Sequence, residues 1–369
     1  MKPVLQFHRR KVYHRAAAAA RARCAAIPAM PHDVSWETLD WSALDRMRGG
    51  FLSPGSPNGR GWTSISDVAN YDFTFAQRIG WKWDAVLAEL AARGWTPPSG
   101  EILDWGCGSG VAARRVIEWL GPGLFKRADL FDRSPLALEF AVRRTRELLP
   151  DAEVCALRSD PATSGNSIGL LVISHVLNEL DPPSRSRLLD LARRAGAVLW
   201  VEPGSRAESR DLSAMRDELR NDFTVVAPCP HQSACGMLAP ENEPHWCHFR
   251  APVPKGVLAH GGWVRFGQQA GIDLRSLPYS FLVLERTGVR ETTPGLPASG
   301  CARVLAGCRF YKGYARLITC RAGGVEDLEL QKRTAPRHFK ALNRSESGLF
   351  WRIEAADKRI LSIDALAPR

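Results

Sequence analysis

No stretch of the chain approaches the eighteen or so apolar residues that a membrane-crossing helix requires, and the longest strictly apolar run near the start is Ala16–Ala20. A soluble protein without a membrane partner is expected. Nothing resembles a secretory signal, so the nine cysteines are expected as thiols in a reducing compartment, where metal ligation or plain burial is favoured over a disulfide framework. Internal repeats are absent. The first thirty residues lack acids, serine and threonine altogether. Arg-rich and acid-free, they are read as a transit peptide, a basic RNA-binding arm, or sequence upstream of a true start at Met30. The Trp/Arg/Ala-rich body has a bacterial look and favours the last two, hence a bacterial cytoplasmic protein, with the mitochondrial matrix as the alternative.

What the chain does have is an apolar share of 45% and a charged share of 24%, enough to build a real core. Its positive excess is uneven. Residues 1–31 carry seven Lys/Arg and no acid, residues 301–369 carry fourteen against seven, and the stretch between carries 29 against 32. Basic ends around a near-neutral middle point to a polyanion, and RNA is the commonest large one; the other reading is arginine serving as ordinary solubilising charge.

From Val34 to about Leu90 the apolar residues recur at three and four, a helical pattern, with Ser35 expected to open the first helix and the loop "LSPGSPNGRGW" to split the region. Beyond "TPPSG" short apolar runs alternate with helical patterns: strands "EILDWG", "RADLFD", "AEVCAL", "IGLLVISHV" and "AVLWVEP", with helices over 111–120, 135–149, 184–195 and 206–221. That alternation implies an α/β fold, a mostly parallel sheet covered on both faces. "YSFLVLER" supplies a late strand, and the linker "ETTPGLPASG" precedes a tail with one β-like run, "YARLITC". The expected division is a basic arm or leader over 1–32, a helical subdomain over 33–98, an α/β domain over 99–290 containing a Cys-rich segment at 227–250, and a basic extension over 291–369.

The segment "EILDWGCGSG" sets Asp104, Gly106, Gly108 and Gly110 between a strand and a helix. Glycines keep such a turn tight and let backbone N–H groups approach a ligand at the helix start. The spacing D-x-G-x-G-x-G is neither the dinucleotide fingerprint nor a P-loop, which needs a lysine; it favours S-adenosylmethionine (SAM) and a Rossmann-like class I methyltransferase. Asp132, at the end of the second strand, is expected to accept the ribose hydroxyls, and Asp160, after the third, to face the adenine amino group. The end of the fourth strand reads "ISHVLNEL", without the Asn/Asp-Pro-Pro-aromatic tetrapeptide of amino-methyltransferases. No paired catalytic cysteines for pyrimidine C5 are seen either, so the catalytic residues stay unassigned.

Cys229, Cys235 and Cys247 fall in a proline-rich stretch at C-x5-C-x11-C. Soft thiolates clustered this way point to zinc or an iron–sulfur cluster, either of which would hold together a segment too polar to fold by burial. His231, His245 and His248 would complete a zinc site; Cys301, Cys308 and Cys320 would complete an all-sulfur one. Cys24, Cys107 and Cys155 lie apart from the set.

"VVAPCPH", "WCHF" and "YSFLVLER", with "LDWGCGSG", "ISHVLNEL" and "VEPG", resemble the ribosomal small-subunit methyltransferase-like family of the Rsm-twenty-two type, over roughly residues 35 to 345. The resemblance implies a class I methyltransferase fold carrying a four-cysteine [4Fe–4S] cluster and associating with small-subunit ribosomal RNA and ribosomal proteins during assembly. Residue by residue it implies Cys229, Cys235 and Cys247 as cluster ligands, with Cys320 fourth. At the second cysteine "ACGM" replaces the family's commoner Cys-Pro. The expected protein is thus a SAM-binding, cluster-bearing assembly factor, monomeric off the ribosome. The alternatives are a working rRNA methyltransferase and, third, a small-molecule methyltransferase with structural zinc.

Overall fold

The computed structural model describes residues 34–52, 62–163, 167–343 and 349–366. The basic arm and most of the "LSPGSPNGRGW" loop lie outside the described residues. Residues 34–39, the described part of an N-terminal unit ending at Leu39, form a turn in which Thr38 N–H donates to the Ser35 carbonyl.

The second unit, Asp40–Arg369, begins with helices α1 (Trp41–Leu52), α2 (Ile65–Phe73) and α3 (Phe75–Arg93). Helix α1 starts five residues later than a cap at Ser35 suggests, because Asp40 is the capping residue: its carboxylate accepts the Ala43 N–H at 3.0 Å. Ser64 and Asp67 form a reciprocal capping box on α2, and Gly94, left-handed at φ 71°, ends α3.

Strands β1 (Glu101–Trp105), β2 (Arg127–Phe131), β3 (Glu153–Ala156), β4 (Ile168–Ser174) and β5 (Ala195–Pro203) are connected through helices α4 (Val111–Leu120), α5 (Pro135–Leu148) and α6 (Pro182–Ala192). Helix α6 starts two residues before its expected place, since Asp181 caps it and Pro182 suits its first turn. Then come α7 (Arg206–Leu219), β6 (Phe223–Ala227), the two-residue β7 (Phe249–Arg250), α8 (Gly261–Gln269) and β8 (Pro278–Arg286). The sheet runs β3-β2-β1-β4-β5-β8-β6, with β7 beside β8. Strands β1 to β5 pair in parallel and β8 is antiparallel to both neighbours. The order reverses between β1 and β4, and ligands of open α/β sheets bind outside the carboxyl ends of the strands at such a switch point. Trp105, Ile173, Trp200 and Leu282 belong to one core cluster beneath it.

The tail holds more structure than its single β-like run announced. Strands β9 (Arg303–Tyr311), β10 (Tyr314–Arg321), β11 (Gly324–Gln331), β12 (Phe350–Ala356) and β13 (Arg359–Leu366), with helix α9 (Pro336–Asn343) between β11 and β12, form a second sheet in the order β12-β13-β11-β10-β9. Its own core includes Leu317, Leu328, Leu330, Trp351 and Ile363. Along β9 and β10 buried residues alternate with partly exposed ones, unlike β4 and β5, which are buried almost throughout.

A buried ion triad joins α3 to the tail. Arg303 donates to both Glu89 oxygens at 2.6 and 2.7 Å, Arg93 donates to Glu89 at 2.5 and 3.0 Å, and both arginines reach main-chain carbonyls at Val226 and Pro228. Arg303 also lies 4.3 Å over the Phe249 ring.

Candidate functional site

The glycine loop follows β1 directly. Gly106, Gly108 and Gly110 have φ of 71°, 55° and 79°, a left-handed conformation that disfavours side chains. A Cβ on Gly106 would stand 2.9 Å from the Val176 side chain, and one on Gly110 2.9 Å from Ala141. The loop is pinned from β2: Gly106 and Cys107 N–H donate to the Phe131 carbonyl at 2.8 and 2.9 Å.

Asp132 closes the other side. Its Oδ2 accepts the Gly108 N–H and its Oδ1 the Ser134 N–H, each at 2.8 Å. A carboxylate is the acceptor-only group suited to two vicinal hydroxyls. Asp160 stands beside β1 rather than alone: its Oδ1 accepts Trp105 Nε1–H at 3.0 Å and Ala162 N–H at 2.9 Å.

Asp104 is fully buried. Oδ2 accepts the Ala113 N–H at 3.2 Å, while Oδ1 has no partner among the described residues. Burial, helped by the nearby Asp132 carboxylate, pushes its pKa up to about 7. An orphaned buried oxygen beside a left-handed glycine loop is an unmet demand for a donor. The loop, Asp104 and Asp132 are therefore brought together at the switch point, with Asp160 adjoining through Trp105.

The sequence did not single out Lys82 or Glu202. Lys82, buried on α3, places its Nζ 3.0 Å from His175 Nε2. His175 Nδ1 lies 3.2 Å from the Ser174 hydroxyl, which accepts the Trp83 Nε1–H at 3.0 Å. His175 sits at the end of β4 with φ 56°, uncommon for a residue with a side chain. Burial, with Arg78 adding repulsion and Glu202 opposing, lowers Lys82 to about 7. Lys82 and His175 are joined by a hydrogen bond whose direction depends on the imidazole tautomer and the charge of the amine. Such a pair can take up a proton at neutral pH. Glu202, buried at the end of β5, accepts Trp200 Nε1–H and the Val176 and Leu177 N–H groups, and burial raises it to about 7. An acid inside "AVLWVEP" and a lysine between two tryptophans in "GWKWD" were the available signals.

The Cys-rich segment lies between β6 and β8. Cys235 and Cys247 pack with Cys320, Met237 and Leu305 in one small cluster. Cys229 is within electrostatic reach: it helps push up the Cys235, Cys247 and Cys320 thiols, though burial is the main cause for each. Cys235 rises to about 11. His231 Nε2 stands 3.4 Å from Cys320 Sγ. Cys308 instead packs against the core of the second sheet, and the Cys301 thiol faces the Pro230 carbonyl at 4.0 Å. Gly236 is what lets the segment sit on the β10–β11 turn, since a Cβ there would come 2.8 Å from Gly324 Cα; that close approach accounts for glycine after Cys235.

Charge around the four thiols is cationic. Arg216 interacts favourably with Cys229 and Cys235, Arg93 with Cys229, and Arg303 with Cys247. Asp217 holds the Cys235 N–H with both oxygens at 3.0 Å. As the side chains stand, no group of three or more His, Cys, Asp or Glu among the described residues is disposed to hold a metal ion. The desolvated Cys235, Cys247 and Cys320, with Cys229 and three guanidiniums in electrostatic reach, nevertheless fit a thiolate-ligated, net-negative centre: guanidinium charge favours the ionised form that ligation needs.

A mostly parallel sheet with an antiparallel penultimate strand, a glycine loop at its switch point and an acid closing the loop from β2 define the class I methyltransferase fold. Among solved structures the chain is similar to magnesium protoporphyrin IX methyltransferase from Synechocystis PCC 6803 with bound SAM, at 14% identity over 71% of this chain and 100% of that one, TM-score 0.38. It is also similar to a SAM-dependent methyltransferase from Aquifex aeolicus, at 14% identity over 46% of this chain and 93% of that one, TM-score 0.34. No curated protein matches.

The chain belongs to the family described as mitochondrial small ribosomal subunit Rsm22, whose model matches residues 76–352. That description matches the mitochondrial alternative for its location. Among the described residues no helix is long and apolar enough to cross a membrane.

Proposed function

We propose that the chain is a SAM-binding, cluster-carrying protein that acts on or with small-subunit ribosomal RNA in ribosome assembly, in the compartment of the ribosome it serves. The observation that carries the reading is the unpartnered buried Asp104 Oδ1 beside the left-handed glycine loop, at the place where an α/β sheet binds its ligand. Gly106, Gly108 and Gly110 would admit the cofactor against the backbone, Asp132 would accept the ribose hydroxyls and Asp160 would face the adenine. Bound there, SAM supplies an electrophilic methyl group. Cys229, Cys235, Cys247 and Cys320 would ligate a [4Fe–4S] cluster, with zinc as the alternative occupant; the arginine ring supports a net-negative centre without choosing between them. Family membership supports the ribosomal partner.

A second reading, a working rRNA methyltransferase, is favoured by the Lys82–His175 pair, which provides a proton acceptor at the end of β4 where the usual tetrapeptide is missing. A deletion strain complemented with the wild type or with Gly108→Arg separates the two. Loss of one rRNA methyl mark with Gly108→Arg establishes the enzyme; stalled small subunits with every mark present establish the assembly factor. Normal subunits and normal marks in the deletion strain would refute both.

A further inference from the structure

The wiring of the tail sheet identifies a binding module. Ala302 and Trp351 exchange backbone hydrogen bonds at 2.7 and 2.8 Å, bringing the start of β9 to β12 and closing the sheet into a small barrel. Counted from its own start, the barrel has the closed order 1-2-3-5-4-1. Its third and fifth strands, β11 and β13, pair in parallel, and α9 lies between the third and fourth. This is the five-stranded, partly open oligonucleotide/oligosaccharide-binding barrel, which takes ligands on its second and third strands and on the loops joining strands 1–2 and 4–5.

Each of those loops carries an exposed lysine here. The 1–2 turn is Lys312-Gly313 and the 4–5 turn is Asp357-Lys358. Gly313 O accepts the Lys332 N–H and Lys358 O accepts the Glu329 N–H, so the two turns flank the same end of β11. Lys312, Lys332, Arg333, Lys358 and Arg359 are exposed, and no ion pair involves any of them among the described residues.

At the base of the 1–2 turn, Tyr311 and Tyr314 face each other in register, their rings 4.7 Å apart and only 10° from parallel. Tyr311 is 46% exposed. The core of the barrel is filled without this pair, by residues such as Leu317 and Leu328, so the exposed Tyr311, backed by the half-buried Tyr314, presents a flat aromatic surface to solvent. Arg309 and Arg316 lie on the same strands and are oriented by Asp327, at 2.5 and 3.4 Å. A planar aromatic platform rimmed by cations is the chemistry that binds single-stranded nucleic acid: bases stack on the rings while lysines and arginines track the phosphates.

We propose that this barrel is a single-stranded RNA-binding module in which unstacked bases lie on the Tyr311–Tyr314 pair and the two turns hold the phosphates. The proposal rests on the ribosomal-RNA reading above and gives it a surface. Cys320 lies on the same strand as Tyr314, six residues on, or roughly 20 Å at the rise of a strand. The cysteine site thus anchors the far end of β10, and the RNA surface occupies the near end.

The test uses the full chain, purified anaerobically, with a fluorescein-labelled oligouridylate of about twelve nucleotides and a duplex RNA of equal length as probes. The wild type is expected to bind the single strand more tightly than the duplex. Tyr311→Ala with Tyr314→Ala is expected to weaken it by about tenfold or more, the loss of one base's stacking, while Tyr311→Phe with Tyr314→Phe binds like the wild type. Lys312→Ala is expected to lessen the salt dependence. A double alanine variant that binds within twofold of the wild type overturns the proposal and leaves the ribosomal reading intact. A wild type that prefers the duplex overturns the proposal as well, and one that binds no RNA overturns both.

Discussion

Replacing Lys82 by methionine keeps the length of the side chain and removes its charge. Lys82 titrates near 7 instead of its usual 10.5 because burial disfavours the ammonium. Between those values the unfolded chain binds a proton that the folded chain does not. Stability from this group therefore rises as the pH rises from 7 towards 10.5 and falls as the pH drops towards 7. At about 1.4 kcal/mol per pH unit, the folded wild type carries a penalty of about 3 kcal/mol at pH 8 and less than about 1 kcal/mol at pH 10. Glu202, raised by burial to about 7, moves the other way, its penalty growing as the pH rises from 4.5 to 7; above pH 8 it is largely ionised. Methionine removes the Lys82 penalty and also the bond to His175, a loss of about 1 kcal/mol. Lys82→Met is thus expected to be the more stable protein at pH 8, by about 2 kcal/mol, with an advantage that shrinks by 2 to 3 kcal/mol by pH 10. Urea unfolding followed by the fluorescence of the twelve tryptophans, across that range, reads the difference. A gap that stays constant with pH would refute a desolvated Lys82.

Two further outcomes follow from the buried charges and sulfurs. Cys320→Ser, purified without oxygen, is expected to lose the broad visible absorbance of a cluster and its bound iron, whereas Cys301→Ser, whose thiol faces the Pro230 carbonyl, keeps both; a colourless wild type with one zinc per chain would replace the cluster by zinc. Glu89→Gln leaves two buried guanidiniums without their shared carboxylate and is expected to destabilise the fold by about 3 to 5 kcal/mol in equilibrium denaturation.

The parts of this fold that were legible in the sequence are those written locally. Residues 101–110 announce a strand, a glycine turn and a helix start within ten positions, and the apolar runs of β4 and β5 announce buried parallel strands because both faces are covered. Cysteine spacing marked a segment that cannot fold by burial alone. The barrel was missed because its strands bury only one face and are broken by charged residues, so that only their pairing makes a core. Lys82 and His175 are 93 residues apart, and Glu89 and Arg303 are 214 apart; no local pattern encodes such partnerships. Ser35 shows the converse error, a good capping residue in sequence whose place is taken by Asp40.

The central claim is that the switch point between β1 and β4 holds SAM, and calorimetric titration of the purified chain tests it most directly. One-site binding that Gly108→Arg abolishes, with the circular dichroism spectrum unchanged, is the predicted result. Undiminished binding by a folded Gly108→Arg protein, or no binding by the wild type, would contradict it.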